Sequence, residues 1–137
     1  MKYLYSACLF LIFWVSVSQS LLPSDKCREE VKNEECILSC EYYHYNFVQK
    51  SFAIPRIYIE NFKNVLLHYK VVDENQSCEL EKHIKACAEK MRITEEMKRK
   101  DKCMKVIEYF DCVVDGKMVK FNEYAEAIYN FDKSINL

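Results

Sequence analysis

The sequence predicts an all-α fold, a compact bundle of five to six helices cross-linked by disulfides, and three features point to it. One glycine, Gly116, and two prolines, Pro23 and Pro55, occur among 137 residues. A sheet protein needs positive-φ and fixed-φ residues at its many reversals, and this chain lacks them. Glu, Lys, Ala, Leu and Met, all good helix formers, are abundant. Apolar residues recur at three- and four-residue spacing along most of the chain.

Lys2, an apolar run from Leu4 to Val17, and Ser18-Gln19-Ser20 with small residues at its ends form the pattern of a secretory signal peptide. The run is shorter than the roughly 20 residues that span a bilayer, which argues against an anchor. Cleavage after Ser20 is expected. Residues 21–137 then form one secreted, soluble helical domain with no membrane insertion and no linker.

Ser24 or Asp25, just after Pro23, is placed to cap a first helix, and Glu29 and Glu30 suit its positive end. Cys27, Val31, Cys36, Ile37, Cys40 and Phe47 would face inward along it, and the aromatic stretch Tyr42-Tyr43-His44-Tyr45 ends it. Pro55 starts a second helix, with Ile59, Phe62, Val65, Leu66 and Tyr69 at helical spacing. Asn75 and Ser77 mark a break before a third, whose inward residues are Leu80, Ile84, Cys87 and Met91. Thr94 caps a fourth, which carries Glu95 and Glu96 in its first turn and runs to about Val114, with Gly116 as C′ residue. Asn122 caps a last helix bearing Tyr124, Ala125, Ile128 and Phe131. Asn75-Gln76-Ser77 is an N-glycosylation sequon in the loop before the third helix.

Cys8 leaves with the signal peptide, and Cys27, Cys36, Cys40, Cys78, Cys87, Cys103 and Cys112 remain. In a secreted chain this density reads as a disulfide framework with one thiol left over. Cys27/Cys36, Cys78/Cys87 and Cys103/Cys112 are each nine residues apart. On a continuous helix that spacing separates Cα atoms by about 13 Å, beyond the roughly 7 Å a bridge can span. The bridges therefore tie helices to one another. Cys36, Cys40 and His44 share a helix face and have the elements of a zinc site. Oxidation outcompetes metallation in a secreted chain, however, and no metal or other cofactor is expected. Oxidised cysteines are not nucleophiles. His44, His68 and His83 stand in no acid–base motif, and one glycine cannot build a phosphate loop, so no catalytic residue and no enzyme activity are expected.

A small secreted helical domain with Cys36-x₃-Cys40 in its first half and Cys103-x₈-Cys112 near its end is similar to the insect odorant-binding protein superfamily. It more closely resembles the small, fifteen-kilodalton salivary protein family of sand flies. The residues that carry the likeness are Met1-Lys2-Tyr3-Leu4, Asp25-Lys26-Cys27, Cys36-Ile37-Leu38-Ser39-Cys40 and Tyr45-Asn46-Phe47. Tyr69-Lys70-Val71-Val72-Asp73, Cys87-Ala88-Glu89-Lys90-Met91 and the closing Tyr129-Asn130-Phe131-Asp132-Lys133-Ser134-Ile135 complete it. The resemblance implies an odorant-binding-protein-like bundle with three bridges, Cys27–Cys40, Cys36–Cys103 and Cys87–Cys112. Cys78 departs from the six-cysteine pattern and is left unpaired, open to an adduct or to a Cys78-linked dimer of an otherwise monomeric protein. The resemblance also implies anti-haemostatic activity in saliva. Such an anticoagulant binds anionic surfaces or polymers, such as polyphosphate or heparin-like glycosaminoglycans, and blocks contact activation of the intrinsic pathway. A separate alternative is a protein partner alone, such as a host coagulation factor or collagen.

Residues 21–81 carry 7 basic and 11 acidic side chains, residues 82–120 carry 11 and 7, and residues 121–137 carry 1 and 3. The secreted chain is therefore net −2, and any attraction to a polyanion must be local. At 100° per residue the fourth helix separates Met97, Cys103, Met104, Ile107 and Phe110 from Lys98, Lys102, Lys105 and Tyr109. Arg99 and Lys100 flank the latter, and Lys82, Lys85, Lys90 and Arg92 come from the helix before. These nine cations are the expected polyanion site. Ammonium groups about 5–6 Å apart on a helix can meet successive phosphates or sulfates with counterion release, and arginine adds bidentate contacts. Interleaved Glu95, Asp101 and Glu108 also fit an ordinary solvated helix face. The competing expectation is a carrier of small hydrophobic mediators, with Tyr42, Tyr43, Tyr45, Phe47, Phe52, Tyr58 and Phe62 either lining a pocket or filling the core.

Overall fold

The computed structural model describes residues 21–137, and the expected signal peptide, with Cys8, lies outside the described residues. Six helices follow in order: α1 (Pro23–Glu30), α2 (Ile37–His44), α3 (Arg56–His68), α4 (Ser77–Lys90), α5 (Arg99–Val113) and α6 (Phe121–Ser134). Short 3-10 turns at Glu34–Cys36 and Glu74–Gln76 precede α2 and α4. There is no strand among the described residues. No described helix is long and apolar enough to cross a membrane.

The expected single first helix is instead a hairpin of α1 and α2, because Val31 and Asn33 are extended. The cross-link Cys27–Cys40 requires this break. It holds Cα atoms 5.7 Å apart across 13 residues, whereas an unbroken helix would separate them by about 20 Å. Ser24 is not the cap of α1 either. It lies inside the first turn, where its amide and hydroxyl donate to Asp132 at 2.9 and 2.7 Å. A carboxylate from α6 thus supplies the negative charge that the amino end of α1 favours.

Two helices end without glycine. At the close of α2, Asn46 adopts φ +58°, its N–H donates to Tyr43 O, and the Phe47 N–H donates to Tyr42 O. The close of α3 repeats the pattern with Lys70 at φ +57°, Lys70 N–H to Leu67 O and Val71 N–H to Leu66 O. Both are Schellman ends, and each turns the next apolar residue, Phe47 or Val71, back onto the core.

The fourth predicted helix starts four residues late. Thr94 O accepts the Met97 N–H in a separate turn, and α5 begins at Arg99 with Lys98 at its N-cap. It ends at Val113, so Gly116 is not the C′ residue. Gly116 lies one position further on, in the loop to α6, with φ +77° and its amide bonded to Val119 O. The inward face of α5 is also rotated from expectation. Cys103, Val106, Tyr109 and Val113 are buried, and Met104 is 40% exposed. Two apolar stripes at helical spacing compete on this helix, and the one carrying Tyr109 packs against Tyr42 and Phe62. Asn122 sits inside α6 behind the N-cap Lys120, and Ala127 rather than Ala125 is buried.

The core is aromatic. Phe47 and Phe62 stack at 4.2 Å, and Tyr42 meets both edge-on. The Tyr42 and Tyr124 hydroxyls lie 2.6 Å apart. Of the two alternatives for these aromatics, core filling holds for Tyr42, Tyr45, Phe47 and Phe62, which are buried against one another and their neighbours, while Tyr43 is exposed, Tyr58 partly so, and Phe52 borders a surface groove. Packed rings at these separations add dispersion and quadrupole terms to burial.

Asp132 also accepts the Tyr45 hydroxyl at 2.7 Å, so one carboxylate joins α6 to the start of α1 and the end of α2. Glu41 lies close to it. Burial pushes the Glu41 carboxyl up to about 7, Arg28 draws it partly back, and the Asp132 charge adds to the rise. The folded state thus holds the Glu41 proton more tightly than the unfolded chain does. Stability is greatest near and below the unfolded value, about 4.3, and declines as pH rises to and through about 7. The loss should be about 2 kcal/mol, water screening the exposed part of the side chain. Thermal melts from pH 5 to 8 should show it, and Glu41→Gln should flatten the profile. An unchanged slope in that variant would exclude Glu41 as the source.

Candidate functional site

The nine cations expected to form one ridge are divided by the fold. Lys82 and Lys85 project from the exposed side of α4, Lys90 and Arg92 stand at and beyond its carboxyl end, and all four are exposed. Lys98, Arg99, Lys100 and Lys102 gather at the amino end of α5, with Lys102 half-buried. Lys105, two turns along α5, is drawn to Glu108 at 2.8 Å. Tyr109, placed with the lysines by periodicity, is buried in the core with no hydrogen-bond partner for its hydroxyl.

Neutralisation is selective. Lys100 bonds Glu35 at 3.1 Å. A backbone amide and then Lys100 hold the Glu35 carboxyl below its ordinary value. Lys100 and Lys105 are therefore removed from the expected free strip. Among the described residues, Lys82, Lys85, Lys90, Arg92, Lys98, Arg99 and Lys102 have no carboxylate within 4.0 Å. Sequence reading missed Glu35 because nothing local connects it to α5. The Cys36–Cys103 bridge does so, with the 3-10 turn Glu34–Cys36 packed beside α5.

The late start of α5 gives the amino-end group its electrostatic character. Lys98 provides no side-chain cap, and Asp101 is the one acid in the first turn. The amides of Arg99, Lys100 and Asp101 have no side-chain oxygen to bond. Positive side chains thus sit at the positive end of the helix dipole, an arrangement that costs helix stability and concentrates positive potential in one place. Arg99 also lies over Phe52, its guanidinium carbon 6.0 Å from the ring centroid, a cation–π contact that fixes its direction.

Bridges join Cys27 to Cys40, Cys36 to Cys103 and Cys87 to Cys112, and Cys78 is free and exposed in the first turn of α4. These are the pairs that the resemblance implies. Cys36 and Cys40, considered as zinc ligands, both spend their sulfurs in bridges. His44 does approach the Cys27–Cys40 pair, the three ligand atoms lying within 4.8 Å of one another, but a disulfide sulfur lacks the thiolate charge that binds zinc. Asn75 is exposed in the turn before α4, one helical turn from Cys78. His68 is exposed, and His83 packs its Nε2 3.0 Å from Val113 O at the end of α5.

No protein-family model matches the chain. It is similar to salivary protein 15b of Phlebotomus duboscqi, 33% identical over 144 aligned positions that cover all of both chains. Salivary protein 15a of the same species is 32% identical, again over the full length of both. Ayaconin of Lutzomyia ayacuchensis is 31% identical over 126 positions, covering 89% of this chain and 85% of that protein.

Proposed function

Because the chain belongs to the fifteen-kilodalton salivary protein family of sand flies, we propose that it is an anti-haemostatic binding protein without catalytic activity. Its action is to hold anionic polymers, such as polyphosphate or heparin-like glycosaminoglycans, and so keep contact-pathway factors from assembling on them. The observation that carries this reading is the cluster at the amino end of α5. Lys98, Arg99 and Lys102 have no carboxylate partner, stand beside uncapped amides, and share the positive end of one helix. Phosphate or sulfate oxygens would gain charge-assisted bonds there and satisfy the open N–H groups. Lys90 and Arg92, in the chain leading to that end, extend the positive field along a polymer.

The whole molecule is slightly acidic, so binding must be salt-sensitive and confined to this end. Heparin–agarose tests it. The protein should be retained at low ionic strength and elute at moderate salt, with the logarithm of affinity falling linearly against the logarithm of salt concentration. Flow-through at low salt would refute the reading.

A further inference from the structure

Lys98, Arg99 and Lys102 are open to an anion at the amino end of α5, whereas Lys100, which lies among them, is held by Glu35 at 3.1 Å. A covalent link builds this contact. Cys36 follows Glu35, Cys103 stands one helical turn beyond Lys100, and their bridge sets the two Cα atoms 4.9 Å apart. The 3-10 turn Glu34–Cys36 is closed by the Cys36 N–H donating to Asn33 O at 2.9 Å. Both bridge residues are buried, so the Glu35 backbone is tied to the flank of α5. Its own backbone amide joins Lys100 in holding the Glu35 carboxylate charged.

Most exposed ion pairs immobilise two long side chains for a small Coulomb gain. Here the bridge orders the turn whether or not the pair forms, which lowers that cost. The pair also meets a need of the unloaded protein. Lys98, Arg99, Lys100 and Lys102 repel one another and the positive end of the helix dipole. Glu35 brings a negative charge to them from outside α5. Phosphate or sulfate oxygens of a polymer would meet the same need with the same ammonium group. The carboxylate and the polymer therefore compete for Lys100.

We infer, on the polymer-binding reading, that Glu35 is an autoinhibitory residue of that site. It occupies Lys100 and keeps the affinity below what four cations would give. In exchange it stabilises the amino end of α5 while no polymer is bound.

Heparin titrations of the secreted protein test this. Glu35→Gln, nearly isosteric and uncharged, should bind heparin about tenfold tighter at low salt, the worth of one added charge-assisted contact. Its slope of log affinity against log salt should steepen by about 0.7–0.9, and it should melt about 2 °C lower. Glu34→Gln removes the same charge one residue away, from an exposed acid with no ion pair among the described residues. It should tighten binding less than about twofold, because salt screens a charge that touches no cation of the site. Lys100→Gln should cost at most about threefold in the parent, and added to Glu35→Gln it should return affinity to the parent value. Unchanged affinity in Glu35→Gln, an equal gain in Glu34→Gln, or a tenfold loss in Lys100→Gln alone would each overturn the inhibitory role. Retention of the parent on heparin–agarose with no gain in Glu35→Gln would sink the inhibition and leave polymer binding intact. Flow-through of the parent at low salt with retention of Glu35→Gln would sink polymer binding as the function and uphold the inhibition. Flow-through of both would overturn both.

Discussion

Replacing Cys36 and Cys103 together by alanine is expected to cost the fold about 4 kcal/mol, the largest loss among the three bridges. The chain-entropy cost of an open loop grows with its length. Cys36–Cys103 closes 67 residues, Cys87–Cys112 closes 25 and Cys27–Cys40 closes 13. The same relation gives about 3.5 and 3 kcal/mol for the shorter two. Packing widens the gap, since Cys36 and Cys103 are both buried and the Cys103 sulfur lies 3.4 Å from the Ser39 hydroxyl. Loss of this bridge also frees the 3-10 turn that carries Glu35 beside Lys100. Urea titrations of the three paired alanine variants should rank the Cys36/Cys103 pair least stable. A Cys27/Cys40 variant less stable than it would show that loop length does not control the order.

The fold class was legible because composition and period agreed. Ile59, Phe62 and Leu66 of α3, and Leu80, Ile84 and Cys87 of α4, are the residues that periodicity places inward, and they are buried. Other features depended on distant contacts. No glycine or proline marks the break at Val31–Asn33, which the bond between Cys27 and Cys40 enforces. Helix ends at Asn46 and Lys70 use left-handed residues that carry a side chain, so the glycine signal was missing. Thr94-Glu95-Glu96 has the composition of a helix start but closes a turn of its own.

The candidate site was legible in its residue types and not in its arrangement. Residues 82–120 hold the positive excess, and the cations of the candidate site belong to that stretch. Their grouping depended on the rotation and starting point of α5. Met104 and Ile107 are as apolar as Val106 and Val113, so one-dimensional spacing did not choose between the two faces. Tyr109 chose, because its ring fits among Tyr42, Phe62 and their neighbours. That rotation leaves Glu108 free to hold Lys105, while the late start of the helix brings Lys98 and Arg99 to its dipole end.

Reversing Lys98 and Arg99 to glutamate should therefore abolish most polymer binding, while Lys105→Glu should change it little. Each lost charge-assisted contact to a phosphate or sulfate is worth about 1.5 kcal/mol, so the pair should weaken affinity about a hundredfold at low salt. The slope of log affinity against log salt should shrink by about 1.5, two contacts at about 0.7–0.9 each. Lys105 already bonds Glu108 on an exposed surface, and its reversal exchanges one weak pair for a local repulsion, a change within about threefold. Helix content should survive, since acids at the amino end of α5 improve its dipole interactions. The double variant should melt no lower than the parent while losing both heparin retention and inhibition of contact-pathway clotting. That opposition between stability and function separates a binding site from a solvated helix face. If the Lys105 variant lost binding and the Lys98/Arg99 variant kept it, the polymer would lie along the flank of α5 and not at its end.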